Sequence, residues 1–330
     1  MKKSLKHLLM LGAAAFGLVA ASAASAADAK AAVEQDKVCT ACHDASWDKP
    51  ILAVYQTRHG VKGDPRTPGC RTCHGTSDNH LKSPSNSPDV TFTANSKNTA
   101  DAKNEVCQGC HLNAQRMNWM GSKHQTQDVA CATCHTVHAA KDKVRVKATQ
   151  TEVCFGCHKT ERAESMRMST HAIQAGKVVC SDCHNPHGSD GPKMVLENTI
   201  RDTCFTCHAE KRGPFLWEHP SAMDDCMNCH TPHGSTNSPL LKARQPWLCQ
   251  SCHGDGAPHP GGLYSGAYLP GGAVSTLNRG GTTVNAATNP LTGQPMSANA
   301  PLQQMAFRSC SGCHVQVHGS NHPSGQRFVR

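Results

Sequence analysis

One long apolar run marks this chain, and it lies at the start. Leu8 to Ala21 is almost wholly apolar, follows the basic head Met1-Lys2-Lys3-Ser4-Leu5-Lys6-His7, and is succeeded by Ala24-Ser25-Ala26. A charged head, a short apolar stretch and a small-residue cleavage site predict a secretory signal peptide over 1–26, with the mature protein in a bacterial periplasm or an equivalent exported compartment. Beyond it no long apolar run follows, so no transmembrane helix is expected in the mature chain, and the alternation of strands is nearly absent. Turn signals recur instead, as in Asn185-Pro186 and Thr231-Pro232, each followed by His-Gly. The pattern predicts mostly coil with short α-helices and almost no β.

The 330 residues include only seven Phe, four Trp and three Tyr, and 38% are hydrophobic, below the roughly 45–50% of ordinary soluble domains. A conventional apolar core is therefore not expected, and something other than side chains must supply the buried mass.

The twenty cysteines show what that is. They form ten Cys-x-x-Cys pairs: Cys39 and Cys42, Cys70 and Cys73, Cys107 and Cys110, Cys131 and Cys134, Cys154 and Cys157, Cys180 and Cys183, Cys204 and Cys207, Cys226 and Cys229, Cys249 and Cys252, Cys310 and Cys313. A histidine follows each pair at once: His43, His74, His111, His135, His158, His184, His208, His230, His253 and His314. Disulfide frameworks are common in Cys-rich exported chains, and zinc sites use Cys-x-x-Cys units, but neither needs a histidine after every pair. Cys-x-x-Cys-His is the attachment motif of c-type haem, so ten covalently bound haem c groups are expected. Residues i, i+3 and i+4 share one face of a helical turn. Both sulfurs then reach the two vinyl groups on one porphyrin edge, and the histidine meets the iron as proximal ligand.

After the leader, eleven histidines remain: His59, His80, His124, His138, His171, His187, His219, His233, His259, His318 and His322. Ten irons need ten distal ligands, so every haem is expected to be bis-His, with His322 as the surplus residue. After the first, third, fifth and seventh motifs the next free histidine lies 16, 13, 13 and 11 residues beyond the proximal one; after the fourth, sixth and eighth it lies only 3 beyond. Three residues span about 10 Å at most, too little to pass around a porphyrin. His138, His187 and His233 must therefore cross to a neighbouring haem.

The alternation defines five two-haem units, starting at Cys39, Cys107, Cys154, Cys204 and Cys249, the signature of a repeat architecture. Two stretches interrupt it. Ser83 to Asn104 is polar and reads as a surface loop. The Gly/Asn-rich, haem-free stretch 256–307 has Arg279 as its sole charge and contains Tyr264 and Tyr268. It reads as a loop covering the C-terminal haems, or as a contact surface for a partner.

The formal charge of +9 falls to +6 when the three leader lysines are removed. Each haem brings two propionates, so a ferric bis-His haem adds −1 and a ferrous one −2; ten would carry the total to about −4 oxidised and −14 reduced. The basic side chains thus balance propionates, and no nucleic-acid motif is present. Catalysis at haem iron needs an open coordination site. Ten uniform motifs and surplus histidines ask for none, which favours electron transfer over a multihaem reductase. A soluble periplasmic shuttle is a further alternative.

The chain resembles the periplasmic decahaem cytochromes of outer-membrane porin–cytochrome conduits, the MtrA, MtoA and PioA group, over nearly the whole mature length. The ten motifs, Cys204-Phe-Thr-Cys-His-Ala-Glu-Lys-Arg-Gly-Pro214, Leu216-Trp217-Glu218-His219 and Val317-His318-Gly-Ser-Asn-His322-Pro-Ser-Gly325 carry the likeness. It implies an elongated haem wire of two pentahaem halves, 27–175 and 176–330, threaded into a β-barrel porin. The wire would link periplasmic or inner-membrane quinol-linked cytochromes to extracellular iron or an outer-surface cytochrome. Ferrous iron oxidation is the direction slightly favoured over metal reduction.

Overall fold

The computed structural model describes residues 36–61, 64, 66–253, 274–279, 282–287 and 309–329. The expected signal peptide, His259 and most of 256–307 lie outside the described residues.

The turn of each Cys-x-x-Cys-His motif sets the local structure. Backbone N–H groups of His43, His111, His135, His184, His208, His230, His253 and His314 each donate to the carbonyl of the first cysteine of their motif at 2.9–3.0 Å. That is the i to i−4 bond of one helical turn. The turns come in two settings that alternate along the chain. Odd-numbered motifs sit at the end of a helix that leads into them, as in Ala100–Gln108, Lys147–Phe155, Ile200–Phe205 and Trp247–Gln250. Even-numbered motifs begin their own turn at the first cysteine, as in Cys70–His74, Cys131–Cys134, Cys180–Asp182, Cys226–Asn228 and Cys310–Gly312.

A polar side chain one turn upstream of each odd motif reaches the segment of its even partner. Asp36 Oδ1 accepts from Cys70 N at 2.7 Å and its Oδ2 from the Tyr55 hydroxyl at 3.0 Å. Asn104 Oδ1 accepts from Cys131 N at 2.7 Å while its amide donates to Val129 O at 3.2 Å. Gln150 Oε1 accepts from Ser181 N at 3.0 Å, and Gln245 Oε1 from Ser311 N at 3.2 Å. In the remaining unit Arg201 donates to Met223 O. Each acceptor satisfies a helix-start N–H that has no intrahelical partner, and so clamps two motifs into one unit.

Buried apolar side chains are few and cluster beside the motifs. Among the described residues they are Trp119, Ala130, Phe155, Val179, Val195, Phe205 and Leu241. Ala130 and Val179 immediately precede a first cysteine, and Phe155 and Phe205 follow one. No helix among the described residues is long and apolar enough to cross a membrane.

The chain divides into two compact units. One holds the described residues up to Cys157 together with Val179–Asp190; the other holds His158–Val178 and the described residues from Gly191 onward. The boundary expected between 175 and 176 does not coincide with this division. Val179–Asp190 is tied into the first unit by Asn185 Nδ2 donating to Gln115 O at 2.8 Å, and by Lys147 on Asp182 at 3.1 Å. His158–Val178 is tied into the second by the Ser169↔Ser235 bridge and by Arg167 donating to Gly234 O at 3.1 Å.

Two expected loops carry structure. A helix begins at Ala100, inside the polar stretch 83–104, because Thr99 caps it by accepting from Ala102 N at 3.2 Å. Within 256–307, strands β1 (Val274–Arg279) and β2 (Thr282–Ala287) pair antiparallel, from Val274↔Ala287 to Arg279↔Thr282. Their β-branched residues favour strands, and Gly280-Gly281 is a two-residue hairpin signal in the sequence.

Asn104 is 2% exposed, so Asn104→Ala strands Cys131 N–H and Val129 O in a buried place. A loss of about 1–3 kcal/mol is expected, read as a lower denaturant midpoint of the holoprotein; an unchanged midpoint would show that the clamp contributes nothing.

Candidate functional site: facing histidine pairs

Seven pairs of imidazoles face each other across a nearly constant gap. Ring centroids are 5.9 Å apart for His43 and His80, 5.9 Å for His59 and His111, and 6.2 Å for His74 and His138. They are 6.0 Å apart for His135 and His187, 6.3 Å for His171 and His208, 6.0 Å for His219 and His253, and 6.2 Å for His230 and His318. Two metal–imidazole bonds of about 2.0–2.1 Å in line, with each centroid about 1.2 Å behind its nitrogen, give a spacing of roughly 6.4 Å. The pairs therefore fit one metal atom between two axial imidazoles.

The rest of the coordination sphere must come from elsewhere. Among the described residues no group of three or more His, Cys, Asp or Glu is placed to hold a metal ion, and no disulfide joins any of the twenty cysteines. Two imidazoles at this spacing, beside a pair of thiols, would suit a macrocycle that is attached through the cysteines and brings its own ligands to the metal. Buried Nε atoms of Arg71, Arg116 and Arg201 have no hydrogen-bond partner, and suit the carboxylates such a macrocycle carries. The residues present fit haem c.

Every one of the seven pairs joins histidines from different motifs. His138 faces His74 rather than His135, and His187 faces His135 rather than His184. The crossing extends beyond the three-residue spacings, since His59, 16 residues beyond His43, faces His111, and His80, 6 beyond His74, faces His43. Chain reach alone demanded crossing only at the three-residue spacings.

The His-Gly turns orient several of these rings. The carbonyls just before His187, His233 and His318 accept Nδ1–H bonds from other predicted ligands: His124 to Pro186 O at 2.8 Å, His171 to Pro232 O at 2.8 Å, and His219 to Val317 O at 2.9 Å. The glycine after each is required. Gly188 has φ +103° and a Cβ there would strike Asn118 O, while Gly234 has φ +153° and its Cβ would strike Glu164 O. Carbonyl acceptors also hold His74 (Val90 O, 2.8 Å), His80 (Asn86 O, 2.7 Å), His138 (Ile51 O, 2.6 Å) and His230 (Pro239 O, 3.0 Å). Fixing Nδ1–H in this way leaves the Nε2 lone pair for a metal.

Electrostatics keep several of these rings neutral, as ligation requires. Burial, then His135, Arg116 and His124, pulls His187 down to about 4. Burial is also the leading cause that lowers His74, His111, His230 and His318.

Other predicted ligands hold different contacts. His314 Nδ1 donates to Arg327 O, His158 Nδ1 lies 3.7 Å from Glu161, and His233 Nδ1 lies 3.5 Å from Glu164. His184 is held by its backbone bond to Cys180 O at 2.9 Å. His322 Nδ1 accepts the Ser324 N–H at 3.1 Å.

The cysteines approach one another in a regular order. First cysteines meet within each two-motif unit: Cys39 with Cys70, Cys107 with Cys131, Cys154 with Cys180, Cys204 with Cys226, and Cys249 with Cys310. Second cysteines interact between successive units at Cys73 and Cys110, Cys134 and Cys157, and Cys229 and Cys252.

Cys-x-x-Cys-His turns that pair through their cysteines and face a second histidine define a multihaem c-type cytochrome with covalently bound haem. The family described as doubled CXXCH motif matches residues 171–213 and 219–258, that of cytochrome c-type protein NrfB-like matches 70–149, and that of cytochrome c554 and c-prime matches 14–75. Multiheme cytochrome MtrA of Shewanella baltica (strain OS185) is 40% identical over 296 residues, 88% of this chain and 80% of that protein. The chain belongs to the MtrA family of multihaem electron-transfer cytochromes. Cytochrome c-type protein NrfB of Haemophilus influenzae is 25% identical over 117 residues, 35% of this chain and 49% of that protein. High-molecular-weight cytochrome c of Nitratidesulfovibrio vulgaris is 25% identical over 174 residues, 50% of this chain and 28% of that protein.

With so few buried apolar side chains, the polypeptide cannot offset its chain entropy without haem. Chain produced without haem attachment is expected to give a largely unordered far-ultraviolet circular dichroism spectrum and no cooperative thermal transition. A native-like cooperative transition would contradict this.

Proposed function

We propose that this protein is a decahaem conductor that carries electrons across the outer membrane inside a β-barrel porin. The seven facing histidine pairs carry the reading: capped on both sides, an iron exchanges electrons and leaves no position for a substrate. The regular cysteine contacts support close approach of successive haem edges within each compact unit. The porin rests on likeness to the MtrA group, and the exported leader and periplasmic setting on the basic head, apolar stretch and small-residue site within residues 1–26. A barrel insulates a wire whose described residues include no helix long and apolar enough to cross a membrane.

In this reading ten proximal and ten distal histidines cap ten haems. Beyond the seven pairs, His124, His233 and His259 supply the remaining distal ligands. His322 is spare, because a neutral imidazole whose Nδ1 accepts a hydrogen bond carries its proton on Nε2 and has no lone pair there for iron. Periplasmic or inner-membrane quinol-linked cytochromes contact one end. Extracellular iron or an outer-surface cytochrome contacts the other, with inward flow from ferrous iron as the favoured direction.

The conduit reading is tested with the cytochrome–porin complex in liposomes that enclose a redox dye, with ferrous or ferric iron outside. Transmembrane electron flow that requires both proteins is expected. Absence of flow would favour a free periplasmic shuttle. The ligand assignment is tested by two variants. His187→Ala is expected to convert one haem from low spin to high spin, and His322→Ala none; the reverse result would overturn the assignment.

A further inference from the structure

Most ring nitrogens that orient the facing pairs bond to backbone carbonyls. His135 differs, because its Nδ1 lies 2.7 Å from Asp142 Oδ2, while Oδ1 of the same carboxylate accepts Thr136 N at 3.2 Å. The Asp142 side chain is 17% exposed, so solvent screens its charge only in part. Other carboxylates near predicted ligands stand farther away: Glu161 at 3.7 Å from His158, Glu210 at 3.7 Å from His208, and Glu164 at 3.5 Å from His233. The ring facing His135 adds to the asymmetry. His187 Nδ1 is buried and has no hydrogen-bond partner, and the two ring planes lie within 11° of each other.

We infer that Asp142 is a positioning residue that lowers the reduction potential of the haem attached at Cys131 and Cys134, making it a low step in the potential profile of the conductor. Two effects act in the same direction. A carboxylate accepting Nδ1–H makes the imidazole a stronger donor at Nε2, which favours ferric iron. Reduction adds one electron and cancels the positive charge of the iron–porphyrin centre, so a fixed negative charge one hydrogen bond behind the ligand opposes it. The carbonyls behind His74, His80, His138 and His230 fix their rings without a formal charge. An electron arriving from a carbonyl-backed neighbour therefore climbs onto this haem and descends from it. Such a step sets the rate of flow without closing the path.

The inference rests on the ligation of one iron by His135 and His187 proposed above. The test is a spectroelectrochemical titration of the holoprotein, with low-spin EPR signals followed in parallel, on Asp142→Asn, Asp142→Ser and the exposed control Asp101→Asn. Asp142→Asn removes the charge and leaves one side-chain oxygen to accept, in place of the two that meet His135 Nδ1–H and Thr136 N–H. A single haem's share of the absorbance change is expected to move to higher potential in Asp142→Asn and in Asp142→Ser, with the EPR signal of that haem altered. Asp101→Asn is expected to titrate as the parent. Titrations of Asp142→Asn that superimpose on the parent, or an equal movement in Asp101→Asn, would overturn the inference. If His187→Ala leaves every haem low-spin, the ligation itself fails; if it creates one high-spin haem while the Asp142 variants titrate as the parent, only the tuning role fails.

Discussion

Two imidazoles whose ring centres lie about six ångströms apart are the constraint from which this structure follows. One ring of each pair is fixed by its distance from a cysteine turn. The other must be delivered by a different stretch of chain to within a few tenths of an ångström. Because all seven observed pairs draw on two different motifs, each bond to iron would also close a long loop. His74 and His138 are 64 positions apart in the chain, and His230 and His318 span 88. Ligation would then do the work that apolar packing does elsewhere, in a chain with so few aromatic residues.

The polar clamps are the second layer. Asp36, Asn104 and Gln150 from the helix of an odd motif, and Gln245 from the turn just before one, each reach the first turn of the even partner, where the first cysteines of the two motifs meet. A side-chain amide or carboxylate suits this task, since it satisfies an N–H that begins a helix and adds little bulk where two macrocycles lie close. The His-Gly turns complete the arrangement. In one short segment they present a ligand on the histidine, a carbonyl for another ligand's Nδ1–H, and a glycine that lets backbone approach backbone.

Much of this was legible in the sequence because covalent attachment writes itself into spacing. Ten copies of Cys-x-x-Cys-His name the cofactor and the proximal ligands, and the alternating gaps to the next histidine mark the two-motif units. The three-residue gaps at His138 and His187 forced crossing through chain length alone. The crossing of His59 and His80 was not legible, since gaps of 16 and 6 residues from the preceding proximal histidine leave the partner open. Nor was the grouping of Val179–Asp190, which hydrogen bonds to Gln115 and Lys147 determine. The clamps could have been suspected from a polar residue three or four positions before each odd motif, but Asp, Asn, Gln and Arg fill that place and share no single letter pattern. The hairpin at 274–287 did leave a signal, Gly280-Gly281 between β-branched residues, which the low complexity of its surroundings obscured.

Spin quantitation of the ferric EPR spectrum of the oxidised holoprotein, set against its iron content, tests the central claim most directly. If every haem is held between two imidazoles, all of the iron integrates as low-spin signal. A high-spin ferric signal equal to one haem or more in the purified parent protein would mean that an iron lacks its second histidine, and would contradict a fold built on facing pairs.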